Sequence, residues 1–280
     1  MIKSKKTRSN IGLILSYLFL FLMIIIVVLP VFWIFTSSLN QGSSLYSSSI
    51  IPDKPTFIHY KELFTETRFP TWYINSIKVG LASSLLSVVL VTLTTYAFSR
   101  LKFFGRKRGL MAMLILQMFP AAMNLVALYV LLNLVGLLDT HIGLILIYAG
   151  GGVPYNIWLM KGYMDTLPRS MEEAAIIDGA SRWTILWKII IPLSLPIISV
   201  IAIFSFMSPF TDFLLARLVL RSPTKWTLAV GLQDFIADQF GQHFTQFAAG
   251  ALLAALPVTI LYLSLQNLLI GGLTKGSTKG

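Results

Sequence analysis

The sequence predicts an all-α integral membrane protein of six transmembrane helices, with the N and C termini both cytoplasmic. Hydrophobic residues make up 56% of the 280 positions and charged ones only 12%, with a mean hydropathy of +0.78, a balance that excludes an ordinary soluble domain. The apolar residues fall in runs of membrane length. The segments between those runs alternate between a strong excess of Lys and Arg and near balance, and fifteen of the 22 basic residues fall where this alternation places the cytoplasm. The net charge of +11 is not gathered on one soluble face, so nucleic acid is not an expected partner.

Residues 1–10 carry Lys3, Lys5, Lys6 and Arg8, and the apolar run 11–35 that follows is broken only by Ser16. It is longer than the core of a signal peptide and no small-residue cleavage site follows closely, so a retained first span is expected. Residues 36–71 are polar, with serines between 43 and 49 and prolines at Pro52, Pro55 and Pro70. Here Lys54, Lys61 and Arg68 are balanced by Asp53, Glu62 and Glu66, as in an external segment, and either a contact surface or a plain linker fits it. A second span at 74–98 opens on the interfacial aromatics Trp72 and Tyr73. Arg100, Lys102, Arg106, Lys107 and Arg108 then mark a cytoplasmic loop, a cluster that also suits anionic lipid headgroups.

The third span, 110–132, contains Gln117, Pro120 and Asn124; the fourth, 142–160, contains Gly150, Gly151, Gly152 and Pro154. Such residues permit close helix approach or a broken helix whose backbone lines a cavity, so helix packing and a substrate pathway both fit. A fifth span at 195–215 has Pro209 and Asp212 near its outer end, where Asp212 is within reach of water or Arg217 and need not be a proton relay. An external segment, 219–245, holds Pro223, Trp226, Phe240, Gly241 and His243. The sixth span, 247–265, has Pro257 inside it, and the chain closes on GGLTKGSTKG.

Between the fourth and fifth spans lies the longest polar-interrupted passage on the cytoplasmic side, residues 167–196, LPRSMEEAAIIDGASRWTILWKIIIPLSLP. It reads as two short helices. Ser170 and Glu173 have the spacing of a capping box, Glu172 and Glu173 suit the positive end of the helix dipole, and Gly179 supplies a left-handed stop. A second helix is expected from Ser181 to Lys188, before Pro192 and Pro196 mark the return to the membrane. The first helix is too short to persist alone in water, yet it carries Ala174, Ala175, Ile176 and Ile177. It is therefore expected to dock against another surface, and an amphipathic helix resting on the membrane fits the same residues.

Glu173-Ala174-Ala175, Asp178-Gly179, Ile189 and Pro192 stand at the spacing of the EAA loop, which resembles the signature of the membrane subunits of bacterial ATP-binding cassette (ABC) importers. Ile191 stands where that family usually has Leu. Asn75-Ser76, LQMFPAAMNLVALYVLL at 116–132, IWLMKGYMDTLP at 157–168, TLAVGLQDFI, and AALPVTI through GGLTKGSTKG resemble the MalG-type permeases of carbohydrate importers, above all those for maltose and maltodextrin. The resemblance implies a type I ABC importer permease fold, with residues 11–270 as the transmembrane domain between cytoplasmic segments 1–10 and 271–280, lying among the lipids of the bacterial cell membrane.

It further implies that Glu172, Glu173, Ala174, Ala175, Asp178, Gly179, Ile189 and Pro192 serve as the coupling segment seated in a cleft of a separate ATPase. Ala237, Asp238, Gln239, Phe240 and Gly241 would contact the sugar cleft of an external binding protein, where an ordinary surface turn also fits. Lys275, Gly276 and Lys279 would run along the ATPase dimer, where a disordered tail also fits. The implied partners are a second, MalF-like permease forming a heterodimer with this chain, two copies of a cassette ATPase and an extracytoplasmic sugar-binding protein. In the maltose relative the partner permease holds most of the sugar, so no sugar-contacting residue is assigned to this chain.

Other chemistries lack residues to carry them. There is no Cys, His59, His141 and His243 lie far apart in sequence without a metal-binding spacing, and the carboxylates are scattered. GGLTKGST places Gly271 and Gly276 at the separation of a phosphate-binding loop, but Ser277 replaces the required Lys. ATP and Mg are thus expected in the partner ATPases, and this chain is expected to be a non-catalytic transport subunit without a cofactor of its own. An ion-gradient-driven secondary transporter would need inverted repeats or mid-membrane charges, neither of which is evident. A membrane scaffold without transport activity is the other alternative.

Overall fold

A computed structural model describes residues 2–43, 51–237 and 243–277, and every regular element among them is helical. They form two units, Met1–Thr67 with Asp234–Leu253 and Arg68–Gln233 with Ala254–Gly280. In the first, α1 (Ile2–Ser38) has its apolar portion, Gly12–Ser38, long enough to cross a bilayer. Its side chains are exposed from residue 12 to residue 33 with no polar face, the pattern of a helix whose solvent is lipid.

Beyond α1 the polar segment contains α2 (Ile58–Thr65), so it is not merely a linker. The Thr56 amide donates to the Leu39 carbonyl at 2.8 Å, and Ser38 Oγ lies 2.8 Å from the Tyr60 hydroxyl. Buried His59 places Nε2 2.8 Å from the Asn40 carbonyl and Nδ1 3.0 Å from Glu62 Oε2. Gln246 Nε2 donates to the same Glu62 oxygen at 2.7 Å. That bond above all, opposed by burial and reinforced by His59, holds the Glu62 carboxyl below the ordinary carboxylate range.

The second unit begins with α3 (Phe69–Arg100), followed by α4 (Arg106–Gln117), a 3₁₀ turn (Ala121–Asn124) and α5 (Leu125–Leu134). Next come α6 (His141–Gly151), α7 (Val153–Met164), the short α8 (Ser170–Ile177) and α9 (Arg182–Ile185), a π-turn (Leu186–Ile190) and α10 (Ile191–Thr211). Then follow α11 (Leu214–Val219) and α12 (Leu228–Asp234), and α13 (Phe244–Ser277) closes the described chain.

Helices α6, α7 and α10 pack around α3. The buried face of α3 is small and polar, with Ser76, Gly80, Ser83, Ser84 and Ser87, which lets backbones approach closely where lipid offers no hydrophobic drive. At Gly80 an added Cβ would stand 2.9 Å from the Phe206 carbonyl oxygen of α10, and Ser84 Oγ donates to the Ala202 carbonyl at 2.9 Å. Near the other end of α3, an apolar cluster of Val91, Leu110, Ile157, Met160, Met164 and Ile190 joins α3, α4, α7 and the π-turn.

Beyond the first turns of α3, Asn75 and Ser76 hold the segment that precedes α12. Asn75 Nδ2 donates to the Thr224 and Trp226 carbonyls, both at 3.0 Å, and the Leu228 amide donates to Ser76 Oγ at 2.7 Å. The same segment is pinned by Asp139, between α5 and α6, whose φ of 54° is a left-handed conformation that Asp tolerates. Its carboxylate accepts from Ser222 Oγ at 2.6 Å, the Arg221 and Ser222 amides at 2.9 and 3.0 Å, and Lys225 Nζ at 3.0 Å. Burial pushes this carboxyl up, but the bonds outweigh it, Ser222 foremost, and hold it well below the usual range.

Among the described residues, four helices are long and apolar enough to cross a bilayer: Gly12–Ser38, Phe69–Arg100, Arg182–Thr211 and Phe244–Leu269. The pair His141–Gly151 and Val153–Met164, bent by 42°, supplies a fifth if counted as one span. These answer to the first, second, fifth, sixth and fourth expected spans. The third is interrupted: α4 ends at Gln117, and the chain passes Pro120 and the 3₁₀ turn before α5 begins. Proline has no amide to donate and biases the preceding residue, Phe119, away from helix. Asp212, at the end of α10, does not reach Arg217; it accepts from the Tyr148 hydroxyl at 2.7 Å and from the Leu215 and Ala216 amides at 3.3 and 3.2 Å, while Arg217 stacks over Trp226.

Candidate functional site

Helix α8 carries the EAA residues. Its start differs from the expected capping box: Arg169 is the N-cap, no side chain caps it, and Ser170 lies inside the first turn. The Arg169 carbonyl instead accepts from the Glu172 and Glu173 amides, both at 2.9 Å. Its end is as expected. Gly179 has a φ of 81°, its amide donates to the Ile176 carbonyl at 3.0 Å, and the Ala180 amide donates to the Ala175 carbonyl at 2.9 Å, the paired bonds of a Schellman stop. No atom lies within 4 Å of where a Gly179 Cβ would stand, so backbone conformation alone requires glycine there.

The next helix begins at Ser181 as expected, and the Ser181 side chain caps it, accepting from the Thr184 amide at 3.2 Å. That helix does not end at Lys188. It runs through the π-turn into α10 as one helix, Arg182–Thr211, so the second loop helix and the fifth span are continuous. The reason lies at Pro192, in the first turn of α10: the π-turn, closed by the Ile191 amide on the Leu186 carbonyl, widens the backbone where a proline ring would meet the preceding turn.

Exposure sorts the EAA residues into two groups. Glu173, Ala174, Asp178 and Gly179 face outward, with Ala175 partly covered, and Met171, Ile176, Ile177, Trp183 and Trp187 add exposed apolar surface beside them. Ile177 is 86% exposed. Ile189 packs against the apolar cluster beneath the loop, and Pro192 lies in α10. Glu172 turns inward and is 9% exposed.

What Glu172 meets is Arg100, the last residue of α3. Arg100 Nε donates to Glu172 Oε1 at 2.5 Å, Nη2 to the Met164 and Leu167 carbonyls at 2.9 and 3.3 Å, and Nη1 to Ser99 Oγ at 3.1 Å. Ser99 Oγ in turn donates to Asp165 Oδ1 at 2.5 Å, and Lys161 pairs with the other Asp165 oxygen. Partial burial pushes the Asp165 carboxyl up, yet Lys161 and Ser99, with the charge of Arg100, hold it below its ordinary value. One guanidinium thus joins α8 to the ends of α3 and α7. Sequence reading took Arg100 as a mark of topology or a lipid-headgroup contact and passed over Ser99 and Asp165. The available signal was an Arg ending a span, with carboxylates in the next cytoplasmic loop.

Ala237 is exposed, while Asp238, Gln239, Phe240 and Gly241 lie outside the described residues, as does Lys279. Lys275 and Gly276 fall on the helical backbone of α13, which continues to Ser277.

Spans of apolar helix, with a short helix displayed beyond them and tied at its base to two of them, make an integral membrane protein with an exposed docking element. Residues 6–275 match the family described as binding-protein-dependent transport system inner membrane component, and the chain belongs to it. It is 46% identical to the galactooligosaccharides transport system permease protein GanQ of Bacillus subtilis, with all of both chains covered. It is 44% identical to the maltodextrin transport system permease protein MdxG of the same organism, covering 98% of this chain and 99% of that one. Its fold matches a crystal structure of a bacterial ABC transporter involved in the import of the acidic polysaccharide alginate, with a TM-score of 0.78, 25% identity, and 92% of this chain and 96% of that one covered.

Proposed function

We infer that this chain is the membrane-spanning permease subunit of an ATP-driven oligosaccharide importer, working beside a second permease, two cassette ATPases and an external sugar-binding protein. The observation that carries the coupling role is α8: an exposed apolar helix whose base is clamped to α3 and α7 by Arg100. Glu173, Ala174, Ala175, Asp178 and Gly179 are the face offered to the ATPase cleft, and small side chains there allow close approach. Asp238, Gln239, Phe240 and Gly241, with Ala237, form the contact for the binding protein, and Lys275, Gly276 and Lys279 lie along the ATPase pair. Six spans with both termini in the cytoplasm accompany this reading. Names given to relatives support the substrate class, maltodextrin in one case and galactooligosaccharides in another.

Alternating access follows from linkage. ATP-driven closure of the ATPase pair shifts the permease only if the closed pair binds one membrane conformation more tightly than the other. A mild-detergent pull-down of the tagged chain tests the assembly. A second permease and a cassette ATPase are expected, the ATPase being lost when Glu173 and Gly179 are both replaced. Recovery of the chain alone, under conditions that preserve other complexes, would favour a self-contained secondary transporter. Competition between maltotriose and galactotriose for the recovered binding protein separates the two sugars.

A further inference from the structure

The break between α4 and α5 and the bend between α6 and α7 border a single cavity of about 710 Å³, which the end of α10 completes. Its size falls within the range of small-molecule sites. Residues flanking those interruptions line it, Gln117 and Asn124 on one side and Gly151 and Gly152 on the other, and it shares no residue with the coupling face.

Asn156 is the telling group. It lines the cavity, is 5% exposed, and its carboxamide makes no hydrogen bond to any described residue. Gly152 leaves room for it, since a Cβ there would stand 3.2 Å from Asn156 Nδ2. A side-chain amide that opens on the cavity without a partner among the described residues offers both a donor and an acceptor to whatever enters. Adjacent sugar hydroxyls supply the matching acceptor and donor. Gln117 offers the same chemistry nearby, and the exposed rings of Tyr155 and Phe119 give flat apolar faces against which the C–H face of a pyranose is removed from water.

The charge of the wall selects among sugars. Asp212 lines the cavity, and no Lys, Arg or His is among the described lining residues. A carboxylate without a facing cation disfavours an anionic ligand at short range.

We propose that this cavity is a transit subsite for a neutral oligosaccharide, contacted directly by Asn156, Gln117 and Tyr155 of this chain. The assignment rests on the carbohydrate reading above. It is tested in proteoliposomes holding the whole complex and its binding protein, with uptake of labelled maltotriose and galactotriose and ATP hydrolysis measured in the same vesicles. Tyr155→Leu and Gln117→Ala change exposed side chains on the cavity wall, and each is expected to lower sugar moved per ATP about fivefold; Asn156→Ala is expected to lower it about tenfold, with Asn156→Ser recovering part. An unchanged ratio in both Tyr155→Leu and Gln117→Ala overturns the proposal, whatever Asn156→Ala does, and so does an equal loss of hydrolysis and uptake in those two variants. Transport of an acidic uronate trisaccharide by the unaltered complex as fast as maltotriose overturns the neutral specificity. Unaltered vesicles that hydrolyse ATP yet move neither neutral sugar sink the carbohydrate reading itself, a result separable from the variant ratios.

Discussion

Replacing Arg100 by Met removes one guanidinium and leaves Glu172 facing a site it cannot satisfy. The two side chains are 5% and 11% exposed, and the lost contacts include the 2.5 Å bond to Glu172 and those to the Met164 and Leu167 carbonyls. Breaking a buried pair by removing one partner costs about 3 kcal/mol or more, because the remaining charge is uncompensated. If that cost falls on the seating of α8, opening of the helix becomes roughly a hundredfold more frequent at about 1.4 kcal/mol per decade. Hydrogen exchange of residues 173–178 in the assembled complex reads this directly, as amide protection that falls by the same factor. Removing both charges in Arg100→Met with Glu172→Met should recover most of the protection, since two apolar side chains in place of a buried pair are often nearly neutral. Protection unchanged in the single variant, or lost equally in single and double, would refute the clamp.

Gly179→Val forces a β-branched residue to a φ of 81°, a strain of at least about 1–2 kcal/mol; uptake should fall while the amount of chain inserted in the membrane, read by immunoblot, stays the same. Gly80→Val drives a side chain toward the Phe206 carbonyl and should cost about 1–3 kcal/mol by overpacking, seen as a lower apparent Tm of the solubilised complex. The depressed Asp139 carboxyl makes its stabilisation complete above the ordinary value of about 3.9 and lost as pH falls through the folded value. Melting of Asp139→Asn should therefore vary less with acidification below about pH 4 than melting of the unaltered chain.

Local signals were legible wherever the deciding atoms lie within a few residues. Gly179 and Ser181 announce a stop and a start because each acts on its own turn. Long apolar runs announce α1, α3 and α13 for the same reason. Pro120 and Gly152 were visible as irregularities, but whether such residues bend a span or split it depends on neighbouring helices, and here one span splits while the other bends by 42°. Ser170 and Glu173 had the right spacing for a cap, yet the helix begins one residue earlier, which spacing alone cannot decide. The bond from Arg100 to Glu172 crosses 72 positions; the Arg at a span's end and the carboxylates of the next loop were visible, but neither stretch says which carboxylate the Arg meets.

The helix that carries the loop into the membrane is not uniformly stiff. Pro192 and Pro196 cannot donate to the carbonyls one turn behind them, and the π-turn sits immediately before the first of them. The ladder that makes a helix a rod is thinnest where the loop arm meets the span. A load applied at α8 therefore has two routes inward, a compliant one along its own chain into α10 and a stiff one through a single guanidinium to the ends of α3 and α7. In the coupling role proposed above, displacement would travel by the second while the first absorbs it as flexure.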